Sequence, residues 1–195
     1  MEINVDKSKV MAFCGKYPVQ SKICIDNKIL ERVNEFTYLS FKLSFLGDLD
    51  IPNKIIKFNR TMGIINKIMK PSLVQRHTRI HLYKTLARPV LCYGSEAWTL
   101  RTIDEHRITA GEMKFMRFTA GYSKWDHKRN EDVLKELRIQ SVLQFIHSYQ
   151  KNWHQHAQRM PRLRIPKALL HYLPQGKRRL GRPMKRWREN SALRP

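Results

Sequence analysis

The chain has 195 residues and carries 38 Lys and Arg against 16 Asp and Glu, a formal net charge of +22 at pH 7. A surplus of this size exceeds what solubility requires and predicts a polyanionic partner, with nucleic acid the leading candidate. A hydrophobic content of 42 % excludes disorder over most of the length, and no apolar stretch approaches the roughly 20 residues of a membrane span.

The N-terminal part alternates short apolar runs with turn residues, a pattern typical of β-strands. Residues 3–46 predict three or four short strands, with Asp26 and Asn27 as turn residues between two of them. We therefore assign residues 1–46 to a small domain that contains strands.

After residue 50 the apolar residues recur with a helical period, which predicts a helix that ends at Pro71. Its buried face is predicted to consist of Ile51, Ile55, Phe58, Met62, Ile65 and Met69. Its opposite face carries three cations, Lys57, Arg60 and Lys67. The segment SLVQ at 72–75 predicts a capping box for a second helix, whose apolar residues on two faces indicate a bundle over residues 47–100.

Three further helices are predicted between residues 101 and 160. The first has a capping-box sequence at 102–105 and ends at Gly121. It carries a second basic ridge on the side away from its apolar residues: Arg107, Lys114 and Arg117. A short helix is predicted to have Asn130 as its cap, and a long helix to have Ser141 as its cap. The long helix has the most continuous apolar stripe of the sequence: Val142, Phe145, Ile146, Tyr149, Trp153, His156, Ala157 and Met160.

A dense basic block, GKRRLGRPMKRWR, lies at residues 176–188 within a Pro- and Gly-containing segment, 161–195, that predicts an irregular tail. Its cations are Lys177, Arg178, Arg179, Arg182, Lys185, Arg186 and Arg188. Such a block predicts non-specific binding to a phosphate backbone, because each contact releases counterions. Trp187, within the block, is available to stack on a base.

Catalytic and metal-binding motifs are weak in this sequence. His77 and His81 have the i, i+4 spacing at which two imidazoles bind one metal ion, but no third ligand is evident. Asp48 and Asp50 precede a helix and are better explained as capping groups than as ligands of two metal ions. GxSxG, P-loop and dinucleotide-binding sequences are absent. We therefore expect no catalytic residue, metal site or cofactor in this chain.

The cysteines and the first residues indicate the compartment. Cys14, Cys24 and Cys92 are odd in number and lack CxxC spacing, so a disulfide framework is not expected. The first ten residues are charged and do not resemble a secretory signal. We expect a soluble protein that is not secreted and that lies in the nucleus, in a cytoplasmic ribonucleoprotein, or in both.

Four segments, in order, resemble the C-terminal part of LINE-type, non-LTR retrotransposon reverse transcriptases. INVDKSKVM, which includes the candidate nucleic-acid-binding residue Lys7, resembles the palm strand after the catalytic aspartates. The segment FTYL resembles the primer grip and comprises Phe36, Thr37, Tyr38 and Leu39, followed by Ser40 where the family usually has Gly. RIHLYKTLARPVLCYGSEAW is similar to the thumb signature, and WHQHAQRM, RIPKAL and RRLGRPMKRW are similar to the basic C-terminal extension.

The resemblance implies an RNA-directed DNA polymerase that uses two Mg²⁺ ions held by palm aspartates. Those aspartates do not occur in this sequence, so we expect the chain alone to be inactive, with Mg²⁺ needed only by the complete polymerase. The expected fold is α+β and mainly α: a palm remnant at 1–46, a helical thumb at 47–100, a helical C-terminal domain at 101–160 and a basic tail at 161–195. The resemblance also implies a fragment that begins within the palm.

The expected partners are RNA, DNA or both, together with the missing palm and endonuclease part of the same element. A different reading is a stand-alone interaction protein, whose stripe from Val142 to Met160 binds a partner helix and whose tail is a nuclear localisation signal. A third reading is a decayed element without activity.

Overall fold

The computed structural model describes residues 4–11, 22–45, 49–172 and 187. The chain divides into two compact units, Met1–Asn53 and Lys54–Pro195. The described residues are mainly helical with a few short strands, which confirms the predicted α+β, mainly α class. Within these ranges, no helix is both long enough and apolar enough to cross a membrane.

The described residues of the first unit form short strands that pair two by two. The strands are β1 (Lys9–Val10), β2 (Cys24–Ile25), β3 (Lys28–Ile29), β4 (Glu31–Arg32), β5 (Glu35–Tyr38) and β6 (Phe41–Ser44). β1 pairs in parallel with β4, whereas β2 with β3 and β5 with β6 form antiparallel hairpins. The sequence predicted strands in this region but fewer of them.

Both hairpins turn through two residues with positive φ, the geometry of a type I′ turn, whose twist matches that of the strands. Asp26 (φ 48°) and Asn27 (φ 59°) form the first turn, as predicted. Leu39 (φ 45°) and Ser40 (φ 66°) form the second. Leu and Ser are unfavourable in this region, so the turn at Ser40 forms at a conformational cost of about 1 kcal/mol that Gly would avoid.

Helices make up most of the remaining described chain. They are α1 (Asp50–Ile68), α2 (Arg76–Leu82), α3 (Arg88–Cys92), α4 (Thr102–Ala120), α5 (Asn130–Glu136), α6 (Val142–Arg159) and α7 (Ile165–His171). A π-helical turn, Tyr83–Ala87, joins α2 and α3 into one continuous helical stretch. The boundary between the two units falls within the first turn of α1.

The predicted capping boxes at 72–75 and 102–105 are wrong. α2 begins only at Arg76, and its N-cap makes no side-chain hydrogen bond. The N-cap of α4 is Arg101, whose Nε lies 2.8 Å from Oδ2 of the buried Asp104. The ion pair between Arg101 and Asp104 therefore occupies the first turn of α4, where the sequence predicted a capping box of Thr102 and Glu105.

Of the other predicted helix termini, three involve a named capping residue, and two of these are confirmed. Ser141 caps α6 by accepting a hydrogen bond from the N–H of Gln144 at 3.3 Å, as predicted. Gly121, with φ 83°, ends α4 in a left-handed conformation, also as predicted. Asn130 is the first residue of α5 rather than its cap, because its Oδ1 instead accepts a hydrogen bond from Arg117.

Asp50 is the first residue of α1 and the acidic residue of its first turn, and its Oδ1 accepts the backbone N–H of Lys42 at 3.1 Å. Asp48, its predicted companion, lies outside the described residues.

Three aromatic rings form the centre of the second unit. Phe58 on α1 meets Tyr83 in the π turn edge to face at 6.3 Å, and Tyr83 stacks on Phe115 of α4 at 5.7 Å. The stripe predicted for α1 is confirmed, since five of its members are buried and Met69 is half-buried: Ile51, Ile55, Phe58, Met62 and Ile65. The period of the apolar residues alone was therefore enough to predict which face of this helix is buried.

A buried carboxylate connects α4 to the π turn and to the start of α6. Glu112 is 1 % exposed, and its Oε1 accepts a hydrogen bond from the Tyr83 hydroxyl at 2.7 Å. Its two oxygens also accept the N–H of Val142 at 2.9 and 3.1 Å. Burial raises the pKa of Glu112 although these bonds oppose the shift, and burial followed by the charge of Glu112 raises the pKa of Tyr83.

A fully buried arginine joins α1, α2 and α4. Arg79 donates from Nε to Oγ1 of Thr119 at 3.2 Å and from Nη2 to Oδ1 of Asn66 at 2.5 Å. Its guanidinium also lies over the rings of Phe115 and Phe118, at 5.1 and 5.3 Å. These contacts hold three helices together at one point.

The thumb-like signature begins at Arg79 and has a buried residue at about every fourth position. Its buried residues include Arg79, Tyr83, Ala87, Leu91, Ser95 and Trp98. These buried residues of the thumb-like signature therefore stabilise the helical unit, and a ligand would meet exposed residues at its surface.

The predicted apolar stripe on α6 is wrong in its central part. Val142, Ile146 and Ala157 are buried, but Tyr149, Trp153 and His156 are exposed. Gln150 takes the core position instead, because its Nε2 donates to two loop carbonyls, those of Ser95 at 2.9 Å and Trp98 at 3.1 Å. Part of the predicted tail is also helical, since α7 begins near Pro166, whose missing N–H costs nothing in a first turn.

Candidate nucleic-acid interface

The first basic ridge lies on the exposed face of α1. Lys57, Arg60 and Lys67 are all exposed, as predicted from their position opposite the apolar stripe. They lie there because Phe58, Met62 and Ile65 hold the other face of the same helix in the core.

The second basic ridge, on α4, has two of its three predicted members facing solvent. Arg107 and Lys114 are exposed. Arg117 is half-buried, and its Nη2 donates to the carbonyl of Lys128 and, at 2.9 Å, to Oδ1 of Asn130. Arg117 therefore fixes the connection between α4 and α5, while the other two cations remain available for a ligand.

A contact between the Asn59 side chain of α1 and Gly111 of α4 connects the two ridges. A Cβ atom placed on Gly111 would lie 2.4 Å from Oδ1 of Asn59, so the Asn59 side chain can occupy this position because residue 111 is glycine. Arg107 and Lys114 are one turn before and one turn after Gly111 on α4, and Asn59 is next to Arg60 on α1. The two ridges therefore flank a single helix contact within the second unit.

The cations of these ridges have no carboxylate partner within the described ranges. Ion pairs there use other cations: Lys9 with Glu31, Lys42 with Glu35, Arg76 with Glu136, Arg101 with Asp104, and Lys128 with Glu136. Lys57, Arg60, Lys67, Arg107 and Lys114 are left with exposed, uncompensated charge. Such groups can bind phosphates without first breaking an ion pair.

The remaining predicted residues lie in the first unit or in the tail. Lys7 is exposed at the end of a short 3-10 turn, Val5–Lys7. In the primer-grip-like segment Phe36 is half-buried, whereas the last three residues, 37–39, are exposed. The tail cations fall outside the described residues: Lys177, Arg178, Arg179, Arg182, Lys185, Arg186 and Arg188.

Trp187 is the described residue of the basic block, and it contacts α6 and the loop before α4. Its Nε1 donates to the carbonyl of Glu96 at 2.7 Å, and its ring lies 5.8 Å from the ring of His154. The indole is half-buried, so one side of it is engaged by the protein. Stacking of Trp187 on a base stays a prediction.

Metal binding receives no geometric support from the described residues. His77 and His81 are both exposed on α2, and no group of three or more His, Cys, Asp or Glu in the described ranges could hold a metal ion. The palm aspartates of reverse transcriptases are missing from the sequence, so the residues present do not fit a two-metal centre. We derive no metal-dependent step for this chain.

Sequence reasoning compared the end of α6 and α7 with the basic C-terminal extension but named none of their cations as binding residues. Between Glu136 and Glu189 the sequence contains neither Asp nor Glu. The described part of this interval carries six cations: Arg138, Lys151, Arg159, Arg162, Arg164 and Lys167. The long interval without acidic residues is the signal that could have identified this region.

Comparisons with known proteins point to one class, proteins derived from transposons, and so indicate a transposon-related protein. The relative is an uncharacterized transposon-derived protein of Caenorhabditis elegans, 23 % identical over 201 residues, which include 97 % of this chain and 71 % of the relative. No protein-family model matches the chain, and no solved structure matches it.

Proposed function

We propose that this chain is the nucleic-acid-binding C-terminal part of a retrotransposon RNA-directed DNA polymerase. It would bind primer–template or element RNA without itself catalysing extension, in the nucleus or in a cytoplasmic ribonucleoprotein. The likeness to a transposon-derived protein and the order of the reverse-transcriptase-like segments support this proposal. The observation that carries it is the set of exposed ridge cations without carboxylate partners in the described ranges.

The two ridges suit a duplex backbone better than a sequence-specific contact. Lys and Arg on helix surfaces reach phosphates, which position a protein on a duplex but carry no sequence information. An RNA-containing duplex presents a wide, shallow minor groove flanked by phosphates, so binding depends on shape and charge. The ridge on α1 would contact one strand, and Arg107 with Lys114 on α4 would contact further phosphates.

The experiment is a filter-binding titration of a blunt RNA duplex at increasing salt. With about six phosphate contacts, the logarithm of the association constant should fall against the logarithm of the salt concentration with a slope near −5. The triple variant Lys57→Gln, Arg60→Gln, Lys67→Gln should reduce that slope by about 3, because three cations no longer reach phosphates.

The control neutralises three exposed cations outside the ridges, Lys22, Lys28 and Lys135. It lowers the formal charge by the same amount but should leave the slope close to that of the unchanged protein. A slope near zero for the unchanged protein would reject nucleic-acid binding. Equal losses in the two triple variants would show that net charge, not the ridges, determines binding.

A stand-alone interaction protein is the second candidate. The observation that favours it is the exposure of Tyr149 and Trp153 on α6, since exposed aromatic residues are enriched at protein interfaces. Its tail would then serve as a nuclear localisation signal. Deletion of the tail distinguishes the two candidates, because only a tail that binds phosphates contributes to RNA affinity.

A further inference from the structure

We propose that the exposed face of α6 and the turn after it bind single-stranded nucleic acid, with bases on Trp153 and His156 and phosphates on Arg159 and Arg162. This inference rests on the proposed function and assigns a second kind of ligand, because the ridges of α1 and α4 face a duplex. The single strand would be the unpaired template or an unpaired segment of the element RNA.

Three exposed rings form a row along α6, which we call the aromatic row: Tyr149, Trp153 and His156. Tyr149 is 44 % exposed and Trp153 is 36 % exposed. The spacing i, i+4, i+7 places them on one face, with steps of about 6 Å and 4.5 Å along the helix axis. The rings of Trp153 and His156 lie 5.6 Å apart and are tilted by 43°.

The aromatic row is exposed because another residue serves the core. Gln150 is buried, and its side chain donates hydrogen bonds to the Ser95 and Trp98 carbonyls. With Gln150 on the core side of α6, the aromatic row faces solvent. Large aromatic side chains are more often buried than this, so a row left in solvent calls for a ligand with a flat apolar surface. Every nucleobase has such a surface, and stacking tolerates any base sequence.

Charge at the C-terminal end of the row favours a nucleic acid over an uncharged partner. Arg159, Arg162 and Arg164 are exposed where α6 ends, and the sequence has no Asp or Glu from residue 137 to residue 188. The carboxylate near the other end is that of Glu96, which together with burial raises the pKa of Tyr149. Phosphates are therefore expected beside Trp153, His156 and the turn rather than beside Tyr149.

The turn between α6 and α7 has a defined shape. Lys167 donates from Nζ to the carbonyl of Gln158, which ties α7 to the last turn of α6. Arg162, Lys167, Ala168 and His171 line an open depression of about 450 Å³, large enough for a phosphate group. A strand that leaves the aromatic row at His156 would meet this basic depression next.

The test compares a fluorescently labelled 15-nucleotide oligouridine with a blunt RNA duplex of equal length by anisotropy. Trp153→Ala should weaken oligouridine binding roughly tenfold, the effect of losing one stacked base, and leave duplex binding unchanged within about twofold. Trp153→Phe should retain most of the affinity because it keeps a ring. The matched control is Trp125→Ala, since Trp125 is 81 % exposed on the turn between α4 and α5 and is not part of the row, and it should change neither affinity.

Melting temperatures of the variants are measured alongside. If Trp153→Ala lowers the melting temperature, His156→Ala replaces it with the same expectation, because His156 is exposed. Unchanged oligouridine binding in the stable variant would overturn the proposal. So would a concentration-dependent dimer in sedimentation that Trp153→Ala abolishes while oligouridine affinity stays constant, since the row would then be a protein interface.

Failure of this inference is distinguishable from failure of the proposed function. The ridge variants of α1 report duplex binding, and the variants of the aromatic row report single-strand binding. Loss of duplex binding in the ridge triple with unchanged oligouridine binding in Trp153→Ala would leave the proposed function intact and reject the inference alone.

Discussion

Buried polar side chains determine how the helices of the second unit meet. Glu112 and Arg79 are both buried, and each is hydrogen-bonded to neutral groups rather than to an opposite charge in the described ranges. Burying a charged group is costly, and for Glu112 the charge of Arg88 offsets only part of the desolvation, so these residues hold specific geometry at the expense of stability. Glu112 orients the start of α6, and Arg79 orients α1 against α4.

The raised pKa of Glu112 predicts a definite dependence of stability on pH. Because this pKa is above its ordinary value of 4.5 in the folded protein, the folded state binds the proton more tightly than the unfolded chain. The contribution of Glu112 to the free energy of unfolding is therefore full below pH 4.5 and is lost as the pH rises through the folded pKa. Glu112→Gln should lack this dependence. Urea unfolding of both proteins from pH 4.5 to 7.5 measures their free energies of unfolding. The value for the unchanged protein minus the value for the variant should fall with rising pH, and a constant difference would contradict the assignment.

Burial also predicts which cysteine reacts. The Cys92 thiol is buried and its pKa is raised to about 12, chiefly by desolvation, whereas Cys24 is exposed. At pH 8 iodoacetamide should modify Cys24 at least about tenfold faster than Cys92 in the folded protein, because the thiolate is the reactive form. Peptide mass spectrometry over time gives both rates, and the difference should disappear in urea. Equal rates in the folded protein would show that Cys92 is accessible.

Within single helices, the sequence predicted what local chemistry determines. The period of the apolar residues predicted the buried face of α1. Ser141 and Gly121 predicted the start of α6 and the end of α4, because caps and left-handed turns depend on neighbouring residues. The orientation of α6 could not be predicted, because it depends on a contact between distant parts of the chain. Gln150 is buried since its side chain donates hydrogen bonds to carbonyls some 50 residues earlier. The Arg101–Asp104 ion pair similarly replaced a capping box.

Two glycines in helices offer a matched test of helix packing. Gly63 lies in the interior of α1 with no heavy atom within 4 Å of a Cβ placed on it, whereas the same atom on Gly111 would lie 2.4 Å from Asn59. Gly63→Ala should stabilise the protein by about 1 kcal/mol through helix propensity. Gly111→Ala gains the same propensity but must displace Asn59, so its melting temperature should be lower than that of Gly63→Ala. Equal stabilisation would mean that the Asn59 side chain does not lie against Gly111.

Across the protein as a whole, the thumb-like signature and the ridge cations that would bind nucleic acid are different sets of residues. Arg79, Tyr83 and Trp98 of the thumb-like signature are buried, while the ridge cations belong to no recognisable motif and follow only from helical position. Sequence therefore predicted the α1 ridge in full and two of three α4 cations. It could not place Arg117, whose long side chain is used by the Lys128 carbonyl and by Asn130.

Deleting residues 176–195 separates the two proposed functions. The deletion removes eight of the 38 Lys and Arg and a single Glu, together with the Trp187 hydrogen bond to Glu96, but leaves both ridges in place. If the tail binds phosphates, affinity for an RNA duplex should fall by at least about tenfold at low salt, and the salt slope should become shallower by about 0.9 for each phosphate that the tail had neutralised. Filter binding measures both quantities, and a nuclear import assay in cells is carried out with the same pair of proteins. Unchanged RNA affinity with lost import would instead assign the tail to localisation and favour the interaction protein, because a polycation that contributes to import but not to RNA binding is acting as a signal.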